Sequence, residues 1–168
     1  MALLDAPAGS AETLPGGRRC CRGTRYLHLP DETVQPLPEH CVTGTGTYPM
    51  GGVTITVGRS RDHFGNGSTS QEMPADMLVG AQIRTRRPGD WIRPFGMDGR
   101  QSLQDYFVNR RIDEPFRDRV PLVCRGSEVL FVCGVGAGAI PRWTPEAGNM
   151  RIEVSGVIPW KQEKGTRE

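Results

Sequence analysis

The sequence predicts a β-rich α+β domain whose antiparallel hairpins form a small, partly barrel-like sheet with one or two short helices. Short runs of β-prone residues recur along the chain and are separated by many of its 22 glycines and 14 prolines. Only one stretch has apolar side chains at a clear helical spacing. A length of 168 residues suits a single domain with one hydrophobic core.

The N-terminal half gives weak structural signals. Residues 1–19 are rich in Ala, Gly, Pro and Ser, which is typical of a linker or a frayed end. Thr24–Leu29 and Val53–Val57 are predicted strands, and the second alternates apolar and polar residues so that one face meets a core. The polar stretch 59–74 is predicted to be an exposed loop.

A first hairpin is predicted to join Ile83–Arg87 to Trp91–Phe95 through Pro88-Gly89. Pro followed by Gly favours a type II turn, although tight hairpins prefer the mirror-image turn types. Period-two alternation would then place Arg84, Arg86, Trp91 and Arg93 on one face, and Ile83, Thr85 and Ile92 on the other.

The rest of the domain is predicted to contain two short helical segments, a second hairpin and a last strand. Ser102 and Asp105 approximate a capping box before a helix from Leu103 to Arg110. Pro115 suits the start of a brief second helical turn that carries Phe116, Arg117 and Arg119. The remaining predicted elements are strands Val120–Cys124 and Glu128–Cys133 around a type II′ Gly126-Ser127 turn, a strand over Met150–Ile158, and a loose tail at 161–168. We place the domain boundaries at 20 and 160.

Composition argues against several functional classes. The net charge is only +2, five cysteines show no Cys-x-x-Cys spacing, and no apolar run reaches the ~18 residues of a membrane span. The expected setting is cytoplasmic, without a metal site. Gly134–Gly138 is followed by Pro141 rather than by a helix, so it is predicted to be a strand exit rather than a phosphate loop. Asp62-His63 is predicted to be solvated, and we expect no catalytic residues.

Arginine is by far the most frequent basic residue of this chain. Of the 21 basic residues only Lys161 and Lys164 are lysines, and residues 84–125 contain ten arginines against six acids. Planar guanidinium groups suit bidentate contacts to phosphate. Trp91 could form a cation–π pair with Arg86 or offer a platform to an unpaired base. The alternative, a solvated strand face with weak surface ion pairs, remains open on composition alone.

One long motif runs through the second half of the chain. It consists of Ile83-Arg-Thr-Arg-Arg-Pro-Gly-Asp-Trp-Ile-Arg-Pro, Ser102-Leu103, Ile112, Arg117-Asp118-Arg119, Pro121-Leu122 and Glu128-Val129. This order resembles the C-terminal domain of tRNA(Ile)-lysidine synthetase, with the core of the motif at 81–143. Leu14-Pro15-Gly16-Gly17 also resembles the segment that leads into that domain.

The resemblance implies a function in tRNA modification. The family ligates lysine to the wobble cytidine of an isoleucine tRNA, using ATP in an N-terminal adenylating domain, and its C-terminal domain is similar to a clamp on the tRNA acceptor end. By this resemblance Gly89 and Asp90 shape a turn. The implied contacts to phosphates and to the acceptor end are Arg84, Arg86, Arg87, Arg93, Arg117 and Arg119.

The adenylating half has no counterpart in the sequence. No Ser-Gly-Gly-x-Asp-Ser loop for ATP is present, so this chain is expected to dock substrate only. ATP and lysine would be used by an adenylating domain joined in cis or acting in trans. The alternative is a stand-alone β-rich interaction module without an enzymatic or tRNA role. A homodimer is left open, and no membrane partner is expected.

Overall fold

The computed structural model describes residues 2–24, 27–29, 35–61, 65–140 and 148–160. A 3-10 helix at Ala2–Leu4 precedes the strands and α-helices. In chain order these are β1 (Ala11–Thr13), β2 (Arg19–Arg22), β3 (Leu27–His28), β4 (His40–Cys41), β5 (Gly46–Met50), β6 (Val53–Arg59), β7 (Ser70–Pro74), α1 (Ala75–Leu78), β8 (Gln82–Arg84), β9 (Trp91–Ile92), β10 (Gln101–Ser102), α2 (Leu103–Asn109), α3 (Glu114–Arg117), β11 (Leu122–Arg125), β12 (Glu128–Val132), β13 (Gly136–Ala137) and β14 (Asn149–Gly156). The predicted β-rich class with short helices is confirmed.

A central sheet carries the arginine-rich motif. Its strands follow the order β10-β9-β12-β11-β8-β4, with β13 also paired to β12. The path is open among the described residues, so the central sheet is not a closed barrel. β11 and β12 pair antiparallel across Gly126-Ser127, and Gly126 has a φ of 58°. This is the predicted second hairpin, and it lies centrally with buried side chains on both strands.

The predicted first hairpin is wrong. β8 pairs with β11 and β4, whereas β9 pairs antiparallel with β10 and parallel with β12. The hairpin β11–β12 therefore lies between the two strands that were expected to pair. The turn type explains the difference, because a type II turn does not match the twist of paired strands and lets them diverge.

A second sheet has the order β5-β6-β14-β7. The predicted strand at Val53–Val57 lies within β6, and the strand predicted at Met150–Ile158 corresponds to β14, which ends two residues earlier, at Gly156. The predicted loop over 59–74 is wrong at its end, where β7 pairs with β14. The charged Glu72 made this segment look like an exposed loop. In the structure its carboxylate forms a buried ion pair with Arg151 at 3.1 Å, which allows a strand with a charged residue to be covered.

The N-terminal segment contributes a third sheet, β1-β2-β3. Residues 11–13 were predicted to belong to a linker, but backbone pairing with β2 orders them as β1. Asp62, His63 and the tail at 161–168 lie outside the described residues.

Helix α2 covers one end of the central sheet. The Ser102 side chain accepts a hydrogen bond from the Asp105 backbone N–H at 3.1 Å, as the capping box predicted. Leu103, Tyr106 and Phe107 are buried and join the core. α3 is the predicted second helical turn. No helix in the described parts of the chain is long and apolar enough to cross a membrane.

Candidate nucleic-acid interface

An open groove lies where β9 begins, beside the end of β10 and the start of α2. Its volume is about 840 Å³. The Arg87–Asp90 turn forms one wall, and the first residues of α2 form the other. The lining residues are Arg86, Arg87, Pro88, Gly89, Asp90, Trp91, Arg100, Gln101, Ser102, Leu103, Gln104, Asp118 and Ser127.

The Arg87–Asp90 turn is built as the sequence predicts. Gly89 has a φ of 85°, and the Asp90 N–H donates to the Arg87 carbonyl at 3.3 Å. The Arg87 N–H donates to the Asp90 carboxylate at 2.8 Å. A side chain at residue 89 would meet nothing within 4 Å. Glycine is therefore favoured here by the backbone conformation and not by lack of space.

Arg84 does not face solvent, which corrects its predicted role as a phosphate contact. Its Nη1 and Nη2 atoms donate to the two oxygens of Asp90 at 2.8 and 2.9 Å. They also donate to the carbonyls of Thr85 and Gly126, both at 2.9 Å. The hydrogen bonds to Asp90 raise the pKa of Arg84 against the opposing effect of burial. Arg84 lies at the buried end of β8, and its bonds to Asp90 and to the Gly126 carbonyl join the turn to the β11–β12 hairpin.

Arg86 lines the groove, and Arg117 lies near enough to be influenced by the Arg86 charge. Arg86 Nε donates to Asp118 at 2.7 Å, and its Nη1 donates to Gln104 at 2.9 Å. Arg117 Nε donates to the carbonyl of Ile112 at 2.8 Å. Burial and the nearby Arg86 charge lower the pKa of Arg117. Within the described ranges, no carboxylate lies within ion-pair distance of Arg117, although the charges of Glu114 and Asp113 oppose the effect of Arg86 on its pKa.

Arg87 projects from the turn beside the groove. Its Nη2 donates to both oxygens of Glu39 at 2.6 and 2.7 Å. The two side chains are 49% and 52% exposed. An ion pair that is so open to water contributes about 1 kcal/mol or less, so Arg87 can exchange Glu39 for another anion at small cost.

Trp91 contacts two arginines, although neither is the predicted Arg86. The guanidinium carbons of Arg93 and Arg100 lie 5.3 and 5.4 Å from its ring centroid. Arg93 also lies 3.3 Å from Glu128. Arg86 is turned away by Asp118 and Gln104. The indole therefore acts as a support for two guanidinium groups.

The second half of this structure matches a known family. Residues 81–154 match the model of the TilS substrate C-terminal domain. That match covers the turn, the groove and both strands of the central hairpin. Residues 81–154 belong to the TilS substrate C-terminal domain family.

Comparison with individual proteins agrees with this assignment. The chain is 33% identical to a tRNA(Ile)-lysidine synthase of Symbiobacterium thermophilum over 150 residues, which cover 86% of this chain and 31% of that protein. It is 27% identical to a tRNA(Ile)-lysidine synthase of Geobacter sulfurreducens over 152 residues, covering 75% of this chain and 31% of that protein. The chain thus matches about a third of the length of each.

A solved structure supports the fold. The crystal structure of a TilS C-terminal domain superposes with a TM-score of 0.61 at 22% identity, and the match covers 73% of this chain and 98% of that one.

The TilS C-terminal domain of this chain gathers some of the predicted contact residues and separates others. Arg86, Arg87 and Trp91 meet at the groove with the predicted turn residues. Arg93 contacts Trp91 but is not among the residues that line the groove. Arg119 is directed elsewhere, because its Nη2 lies 3.4 Å from the position that a Cβ on Gly51 would occupy, at the β5–β6 turn.

Sequence reasoning missed Arg100 and Gln104. Both line the groove, one before and one after the Ser102 helix cap. Their short distance from the predicted cap was the available signal, since side chains that flank a helix N-terminus are well placed for anions.

Proposed function

We propose that this domain binds the acceptor end of a tRNA, with the groove as the contact to the RNA backbone. The observation that best supports this proposal is the charge balance of the groove. Arg86, Arg87 and Arg100 line it, whereas the Asp90 carboxylate is occupied by buried Arg84. Asp118 is the remaining lining carboxylate and is 75% exposed.

Phosphate can replace the partners that these arginines have now. Both side chains of the Arg87–Glu39 pair are open to water, and so is the Asp118 side of the Arg86–Asp118 pair, which makes each pair individually weak. A phosphate offers oxygens to the same planar fork and releases counterions from the RNA on binding. Arg117 adds positive charge near Arg86. These features support recognition of the backbone, which positions an RNA without reading its sequence.

The role that follows is substrate docking for lysidine formation. The relatives are named for tRNA(Ile)-lysidine synthesis, and the resemblance assigns the ATP-dependent step to a separate adenylating domain. Lysine and ATP would therefore be used by that domain, in cis or in trans, in the cytoplasm. The present domain would hold the isoleucine tRNA by its acceptor end while the wobble cytidine is modified.

A salt series tests the proposal. The purified chain is titrated with a fluorescent acceptor-stem minihelix of the isoleucine tRNA at several salt concentrations. We expect affinity to fall steeply with salt, and we expect Arg86→Ala/Arg87→Ala to bind more weakly with a slope shallower by about 2, one for each lost phosphate contact. Arg59→Ala is the matched control, because Arg59 is an exposed arginine on the second sheet.

Two outcomes count against RNA docking. The first is no binding at low salt by a chain that circular dichroism shows to be folded, which favours the stand-alone interaction module. The second is a slope change of about 1 in Arg59→Ala, the same per lost charge as in the double variant, because binding would then depend on total charge rather than on the groove.

A further inference from the structure

The loop between β9 and β10 carries exposed apolar side chains beside the groove. Phe95 is 81% exposed and Met97 is 63% exposed. Single exposed apolar residues are common on protein surfaces. These two are unusual because they sit on one short loop whose last residue, Arg100, lines the groove.

The loop is held in a defined shape. The Met97 N–H donates to the Pro94 carbonyl at 3.2 Å, and Gly96 has a φ of 77°, so Phe95 occupies the first corner of a tight turn. At the base, the Ala139 N–H donates to the Arg93 carbonyl at 2.6 Å, and Pro94 bridges to Gly138. The Phe95 ring is therefore presented to solvent by an anchored turn.

The loop that carries Phe95 has a cation at each end. Arg93 and Arg100, at the two ends of the loop, both form cation–π contacts with Trp91. The loop itself contains one carboxylate, Asp98, so its balance is positive. An apolar protein surface would have to desolvate both guanidinium groups to reach Phe95. A nucleotide offers a phosphate to the arginines and a flat base to the ring.

We propose that Phe95 stacks on an unpaired base at the end of the RNA strand whose backbone lies in the groove, with Met97 beside it. This inference rests on the proposed function, and it adds recognition of a single-stranded end to that of the backbone. Aromatic side chains next to arginines are the usual platform for unstacked bases, and stacking tolerates any base because every base has a π-face.

The test compares two minihelices with the same duplex, one with a four-nucleotide 3′ overhang and one blunt. Fluorescence anisotropy measures the affinity of the wild-type chain, Phe95→Ala, Phe95→Trp and Val157→Ala. Val157 is the control, because it is 76% exposed and lies after β14. We expect Phe95→Ala to bind the overhang RNA about 5- to 150-fold more weakly, to bind the blunt RNA like wild type, and Phe95→Trp to retain the preference.

Each other outcome overturns the inference in a distinct way. If wild type binds both RNAs equally and Phe95→Ala changes neither affinity, stacking is wrong but groove binding stands. If Phe95→Ala weakens both RNAs equally, the ring does not recognise an unpaired base. If the folded wild type binds neither RNA at low salt, the proposed function and the stacking fail together.

Discussion

Arg84 and Arg87 lie three residues apart in one motif and have opposite environments. The Arg84 and Asp90 side chains are 2% and 1% exposed, whereas the Arg87 and Glu39 side chains are 49% and 52% exposed. Arg84 lies at the buried end of β8, and Arg87 begins the turn that leaves the sheet. The same residue type is therefore structural at the end of the strand and available to a ligand at the start of the turn.

Two other ion pairs differ in exposure as well. His28 and Asp113 are 10% and 12% exposed, and Arg86 and Asp118 are 26% and 75% exposed. Removing one partner from a buried pair strands an unpaired charge, while removing one from an exposed pair leaves the other to water. The free energy of unfolding lost on substitution should therefore increase with the burial of the pair. The effect on RNA affinity should instead be largest for exposed residues at the groove.

The largest effect is expected for Arg84→Met. This change leaves the Asp90 carboxylate buried without its cation, which should lower the free energy of unfolding by about 3–5 kcal/mol. Urea denaturation followed by circular dichroism measures this. Arg87→Met is the matched control, and we expect it to change stability by about 1 kcal/mol or less. Equal losses in the two variants would contradict the distinction between the two arginines.

A smaller and pH-dependent effect is expected at Asp113. Burial would raise the pKa of Asp113, but hydrogen bonds from Thr24 and from His28 outweigh it and hold that pKa below its ordinary value. The Thr24 N–H and hydroxyl donate to Oδ1 at 2.8 and 2.6 Å, and His28 Nε2 lies 3.1 Å from Oδ2. The carboxylate thereby joins the N-terminal sheet to the start of α3.

Asp113→Asn should lower the free energy of unfolding by about 1–3 kcal/mol at pH 7. A depressed folded-state pKa means that this contribution is complete above the unfolded pKa, near 4, and is lost as the pH falls through the lower folded value. The difference between variant and wild type should therefore shrink below about pH 4. Glu114→Gln, the adjacent exposed carboxylate, is the control, and a pH-independent difference at Asp113 would contradict this account.

Local chemistry made much of the fold predictable from sequence. The Ser102 cap, the Gly126-Ser127 hairpin and the Pro88-Gly89 turn each depend on a few adjacent residues, and all three are present. The order of strands was not predictable in the same way. The placement of β11–β12 between β8 and β9 depends on long-range pairing that no local pattern encodes.

The candidate site shows the same limit. The motif indicated an arginine-rich surface, but alternation along an assumed hairpin put Arg84 and Arg86 on one exposed face. Arg84 is buried because β8 is an inner strand, and Arg100 reaches Trp91 because the β9–β10 loop folds back. Both features depend on tertiary structure. The sequence therefore indicated that arginines form the site more reliably than it indicated which arginines these are.

The smallest effect on stability, with the opposite sign on binding, is expected for Asp118→Asn. The Asp118 carboxylate holds Arg86 Nε at 2.7 Å and is 75% exposed, so its loss should change the free energy of unfolding by about 1 kcal/mol or less. If Asp118 competes with phosphate for Arg86, the variant should bind the minihelix about 2- to 5-fold more tightly at low salt, and this gain should fade as salt screens the groove. Glu12→Gln removes an exposed carboxylate from β1 and should leave the affinity unchanged. Weaker binding by Asp118→Asn would show instead that the carboxylate orients Arg86 for the RNA, and the open ion pairs of the groove would then be part of a preformed site rather than exchangeable.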